Sequence, residues 1–133
     1  MANEREIDLE VVKLTFLAGD VVHAQFKSGH TATEEQVREM FAAMERERNG
    51  RKALFMVSFD PGAGLTNEAR KLASSEESNR YNAADAIILR DFAHQLSANA
   101  FVRHNKPPRP IQLFPDQAAA LAWLSTQHHL LDT

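Results

Sequence analysis

One stretch constrains this chain more than any other: Ala53 to Thr66, ALFMVSFDPGAGLT. An apolar run ends at Asp60, a Pro-Gly-Ala-Gly turn follows, and Thr66 opens a segment of helical pattern. Short buried runs bounded by turn residues behave as central strands of a sheet covered on both faces. The ledge beyond the carboxyl ends of such strands is where ligands and partners usually dock in open α/β sheets. This strand, turn and helix therefore form the expected spine of the fold and its first candidate site.

The flanking segments supply the rest of the sheet. Residues 8–17 and 21–26 are rich in β-branched and aromatic side chains, joined by a hairpin-type connection at Ala18-Gly19-Asp20. In the first, Glu10, Val12, Leu14 and Phe16 become the apolar set, which suggests one buried face and an edge position. Thr33 to Gln36 is a capping-box pattern, followed by an apolar stripe of Val37, Met40, Phe41 and Met44 and a stop at Asn49-Gly50. A second helix starts at Thr66, with Leu65, Ala69, Leu72 and Ala73 toward the sheet. Residues 84–89 form another buried strand, and Asp91 caps a third helix. Pro107-Pro108-Arg109-Pro110 enforces extended chain before a short strand over 111–114. Asp116 caps a last helix with Ala118, Leu121 and Ala122 on one side and Leu124 close by. The order is β-β-α-β-α-β-α-β-α: an α/β fold with a mostly parallel mixed sheet and an N-terminal antiparallel hairpin.

Composition bounds the function. A chain of 133 residues, 44% hydrophobic and 25% charged, fits one domain over 1–133. A net charge of -3 and a pI near 6.0 argue against a nucleic-acid binder working through its overall field. Without cysteine there is no disulfide, thiolate nucleophile or Cys-ligated metal. The polar, acidic first ten residues match neither a signal nor a transit peptide, and no apolar run approaches the ~20 residues of a membrane span. The expected location is cytoplasmic.

The landmarks Leu65-Thr66-Asn67-Glu68-Ala69-Arg70, Ser75-Glu76-Glu77 and the segment from Ala100, AFVRHNKPPRPIQLFPDQAAALAWL, carry a family likeness. The chain resembles the STAS domain of anti-sigma-factor antagonists such as SpoIIAA, and more closely the small bacterial SpoIIAA-like (STAS/SEC14-like) proteins. The likeness runs from Val57 onward; before it only the element order matches. It implies a non-enzymatic regulatory module that binds a protein partner or a small ligand. In STAS antagonists the strand ends in Asp and a Ser or Thr at the next helix start is phosphorylated; Asp60 and Thr66 hold similar places. The Asp-Ser-Ser-Gly signature is replaced here by Asp60-Pro61-Gly62-Ala63-Gly64-Leu65-Thr66.

The candidate positions follow from that ledge. Thr66 is a phosphorylation candidate at a helix N-terminus, against its plain role as an N-cap. Gly62 and Gly64 offer an anion nest, against a tight turn needing positive φ. Arg90 and His94 at the start of the third helix are the remaining partner- or ligand-binding candidates. His94 or Asp60 would serve the alternative reading, a small α/β enzyme. The six histidines (His23, His30, His94, His104, His128 and His129) form no metal-binding pattern, so no metal or cofactor is expected. Arg90, Arg103, Lys106 and Arg109 could gather as an anion patch or remain simply solvated. Asn105 to Pro108 offers a docking segment or a rigid link. Trp123 is core or, if exposed, a homodimer face. A lipid-carrier role would demand an apolar cavity too large for a chain of this length.

Overall fold

The computed structural model describes residues 5–89 and 109–132. Its sheet opens with an antiparallel meander of β1 (Arg5–Asp8), β2 (Val12–Leu17) and β3 (Val21–Phe26). The strand expected over 8–17 breaks at 9–11, where Leu9 N–H donates to the Val12 carbonyl and Val11 turns into the core. The edge position expected for that strand therefore falls to β1, and β2 lies inside the sheet. Gly19 and Asp20 both adopt positive φ in the β2–β3 turn.

After β3 the chain makes β4 (Thr31–Ala32), α1 (Glu34–Arg48), β5 (Ala53–Phe59) and β6 (Gly64–Leu65). The capping box expected for α1 is present in full, and Asn49 closes the helix in the left-handed region with φ 55°. Next come α2 (Asn67–Ala73), a 3-10 turn over Glu77–Arg80, β7 (Asn82–Ile88), β8 (Ile111–Phe114), α3 (Gln117–Leu124) and a 3-10 turn over His128–Asp132. The third helix expected from Asp91, and with it Arg90, His94, Arg103, His104, Asn105, Lys106, Pro107 and Pro108, lies outside the described residues.

The main sheet runs β1-β2-β3-β5-β7-β8, with β3, β5, β7 and β8 parallel. Two cores result. On one face α1 and α2 cover Val22, Ala24, Phe26, Phe55 and Val57, using Val37, Met40, Phe41, Met44, Ala69 and Leu72. The buried part of this set is large: at about 25 cal/mol per Å² of apolar area removed from water, burying each such side chain stabilises by roughly 1.5–3 kcal/mol. On the other face α3 covers Val21, Leu54, Met56, Ala84 and Ala86 with Ala120 and Leu124. The buried positions of α3 differ from the expected ones: Ala118 and Ala122 are exposed, and Ala120 takes the core. A helix built almost wholly of apolar residues has no polar face to set its rotation, so pattern alone misplaces it.

The two-stranded sheet of β4 and β6 was not expected. It pairs Thr31 with Gly64 and Ala32 with Leu65, in parallel. This small ladder fastens the loop after β3 to the loop after β5.

Candidate functional site

The ledge at the carboxyl end of β5 is a tightly fastened turn. Asp60 N–H donates to the Phe26 carbonyl, Ala63 N–H to the Asp60 carbonyl, and Gly64 N–H to the His30 carbonyl. Ser28 Oγ donates to the Pro61 carbonyl from the facing loop. Gly62 has φ 82°, and a Cβ there would approach Gly29 N at 3.6 Å, so the turn needs its glycine on conformational grounds. Gly64 shows no positive φ, because it is a strand residue in β6. Pro61 and Gly62 are the most exposed residues of the turn.

Asp60 and Thr66, the two side chains singled out at this ledge, each hold a structural bond. Gln25 Nε2 donates to Asp60 Oδ1 at 2.8 Å. Thr66 is the N-cap of α2: its Oγ1 accepts from Ala69 N–H at 3.1 Å, and its backbone N–H donates to the Ala32 carbonyl.

A polar row leads from the ledge across the sheet face opposite α1 and α2. Paired residues of adjacent strands share a face, so Lys13, Gln25 and Ser58 line up across β2, β3 and β5, with Thr15 and His23 beside them. His23 Nε2 lies 2.8 Å from Ser58 Oγ. Burial pushes the His23 imidazole below its ordinary value, and the Lys13 charge acts in the same direction. Ser58 and His23 have the spacing of a nucleophile and its base, but among the described residues nothing is hydrogen-bonded to His23 Nδ1 to orient it. The row went unseen in the sequence because 53–59 reads as one buried run. Its signal was there in alternation: polar residues at every second position, 13 and 15, 23 and 25, 58 and 60.

Arg109 corrects an expectation. It is 8% exposed and forms a bidentate pair with Asp85, itself 5% exposed, through Nε to Oδ1 at 2.9 Å and an Nη to Oδ2 at 2.8 Å. Its remaining N–H groups donate to the carbonyls of Ala73 and Ser75, to Ser78 Oγ and to Asn79 Oδ1. A guanidinium so fully engaged cannot join a surface anion patch. Burial pushes the Asp85 carboxyl above its ordinary range while Arg109 pulls it back. Trp123 is half-buried, its ring tilted against Phe114 at 5.5 Å, at the margin of the second core.

Two cavities lie away from the ledge. One of about 270 Å³ lies between α1 and α2 and is rimmed by the charged Glu34, Arg38, Glu68, Lys71 and Glu77, with Arg38 already bound to Glu34 and Glu77. The other, about 170 Å³, sits at the opposite end of the sheet, beside Lys52, Asn82 and Arg109. Among the described residues no group of three or more His, Asp or Glu is placed to hold a metal ion, and no helix is long and apolar enough to cross a membrane.

Fold and ledge together define an α/β domain of SpoIIAA-like architecture. The chain is similar to the crystal structure of an uncharacterised DUF3478-family protein with a SpoIIAA-like fold from Shewanella loihica PV-4. The TM-score is 0.56 at 16% identity, covering 92% of this chain and 93% of the other. Residues 15–128 match the family described as a domain of unknown function, DUF7793, and the chain belongs to that family. No curated protein matches it.

Proposed function

We propose that this protein is a non-enzymatic binding module that engages a protein partner through the Asp60–Thr66 ledge. The observation that carries this reading is the state of the ledge itself. Its backbone is cross-bonded to the loop after β3, and its two candidate side chains, Asp60 and Thr66, are spent on structural bonds. Neither cavity described above is lined by residues 60–66. A catalyst calls for a pocket converging on a titratable group, whereas a recognition module needs a preformed surface whose presentation costs little ordering entropy on binding. The rigid turn suits the second. The SpoIIAA-like architecture is compatible with such a role.

Phosphorylation of Thr66 would give the ledge a switch. The phosphate would displace the Thr66 cap bond and add charge beside Glu68, which disfavours the present geometry of the turn. Affinity capture from host lysate with wild type, Pro61→Glu and Thr66→Glu tests both ideas. A partner retained by wild type and lost from Pro61→Glu supports the ledge, and its parallel loss from Thr66→Glu supports the switch. Equal retention by all three proteins, or retention by none, would count against the ledge.

A further inference from the structure

We propose that the cavity at the amino-terminal end of the parallel strands binds a small carboxylate that carries its own hydroxyl or amino donor. The site lies at the start of β5 and β7, roughly 25 Å along the strands from the ledge, and the proposal is independent of the ledge reading.

The central residue is Asn82. It is 1% exposed, and neither Nδ2 nor Oδ1 has a partner among the described residues. A buried amide without partners is costly and uncommon in a native fold, and each instance asks for a reason. Asn82 also sits at a register slip: it pairs with Ala53, while Ala84 pairs with Leu54, so that Ala83 is an extra residue in β7. Bulges of this kind re-aim side chains and gather near functional sites. Here Asn82 borders a cavity of about 170 Å³, with its amide just beneath the cavity wall.

The rest of the lining states the ligand's chemistry. Arg109 contributes a guanidinium whose charge Asp85 already balances. Lys52, a half-buried residue of the lining with no ion-pair partner among the described residues, adds an uncompensated positive charge to the site. The backbone of Lys52 is fixed, since its carbonyl accepts from Arg48 at 2.8 Å. Ala83, Pro110 and Leu130 form an apolar wall. Once the Asn82 amide turns toward the cavity, a carboxylate facing Lys52 and the Asn82 NH2, with a neighbouring hydroxyl or amine donating to Asn82 Oδ1, satisfies both orphaned atoms and the charge together. At about 30 Å³ for each water displaced, the space holds on the order of half a dozen heavy atoms, the size of a short 2-hydroxy acid.

The test is a nitrogen-15 NMR titration that follows the Asn82 side-chain NH2 signals, with lactate as probe and lactamide as its uncharged counterpart. Lactate should move those signals saturably, with half-saturation near about 1 mM. Lys52→Met and the change to lactamide should each weaken binding about tenfold or more, as expected when a partly desolvated charge pair is lost. Asn82→Leu, followed instead through the backbone amides of Lys52 and Ala83, should abolish binding if it folds; Lys52→Met, half-buried and outside both cores, keeps the test decisive if it does not. Signals unmoved by tens of millimolar lactate, about ten times the expected midpoint or more, would overturn the proposal and leave a hydrated cavity. Equal binding of lactate by wild type and Lys52→Met would overturn the carboxylate assignment.

Discussion

Replacing Arg109 by Met should be the most damaging single change that leaves both cores untouched. The side chain joins four parts of the fold. It bonds Asp85 in the middle of β7, the Ala73 and Ser75 carbonyls at the end of α2, and Ser78 and Asn79 in the following 3-10 turn, from its own place just before β8. Met fills similar volume but leaves the Asp85 carboxylate, 5% exposed, without its counter-charge. Removing one partner of a buried pair costs about 3–5 kcal/mol, because the remaining charge stays buried. Against a total stability of about 5–15 kcal/mol for an ordinary domain, that is a large share. It corresponds to a fall in Tm of roughly 10–20 °C for a chain of this size.

The pH dependence separates this cause from ordinary packing loss. Burial raises the Asp85 pKa and Arg109 opposes it, so without Arg109 the rise is larger. An acid whose folded pKa lies above its unfolded value destabilises the fold when ionised, and the penalty is relieved as pH falls through the folded pKa. Urea denaturation at about pH 8 and about pH 5 should therefore show the Arg109→Met defect shrinking in acid. Adding Asp85→Leu should recover most of the loss, since an apolar pair of similar volume replaces a buried ion pair at little cost. A defect below about 1 kcal/mol, or one equally deep at both pH values, would refute the reasoning.

Thr66→Ala should lower stability by about 1 kcal/mol through loss of the bond from Ala69 N–H, and an unchanged urea midpoint would deny the cap any role. His23 has its pKa lowered by burial, so the unfolded chain binds more protons and this residue's contribution to stability falls as pH drops below about 6.5. His23→Gln should remove that part of the acid slope, read as the difference between wild-type and variant stability from about pH 7 to about pH 5; equal slopes would show that His23 does not titrate differently on folding. Trp123→Ala should reduce stability by about 1–3 kcal/mol through the lost Phe114 contact and apolar burial. A changed sedimentation profile at unchanged stability would instead place Trp123 on a homodimer face.

Elements were legible in the sequence where local chemistry is decisive. Thr33, Gln36 and Asn49 specify α1 through a capping box and a left-handed stop, and Pro61-Gly62 specifies the turn after β5. The same rules did not place the break at Leu9–Val11, because Val11 and Val12 are both β-branched and both buried. A turn that keeps its apolar residues inside carries no Gly or Pro punctuation. Nor did they reveal β4 and β6, whose two-residue pairing depends on loops brought together only by the finished sheet. At the ledge, Thr66 as a cap was readable from position, whereas the Gln25–Asp60 bond spans 35 residues and needs the β3–β5 register.

The unreadable residues have something in common. Ser58, Asn82 and Asp85 are polar positions within strands whose neighbours are otherwise apolar, and a binary pattern scores each as a flaw. The fold resolves two of the three by distant partners: His23 for Ser58 and Arg109 for Asp85. Asn82 is the one for which no group among the described residues does so, although it is among the largest fully buried side chains and stands beside the register slip in β7. Natural chains break local rules chiefly where function requires it. If Asn82 were only a tolerated defect, Asn82→Leu should fold and gain stability by removing two unsatisfied polar atoms, at the expense of no measurable property. A gain in stability accompanied by loss of lactate binding would identify the amide as kept for a ligand.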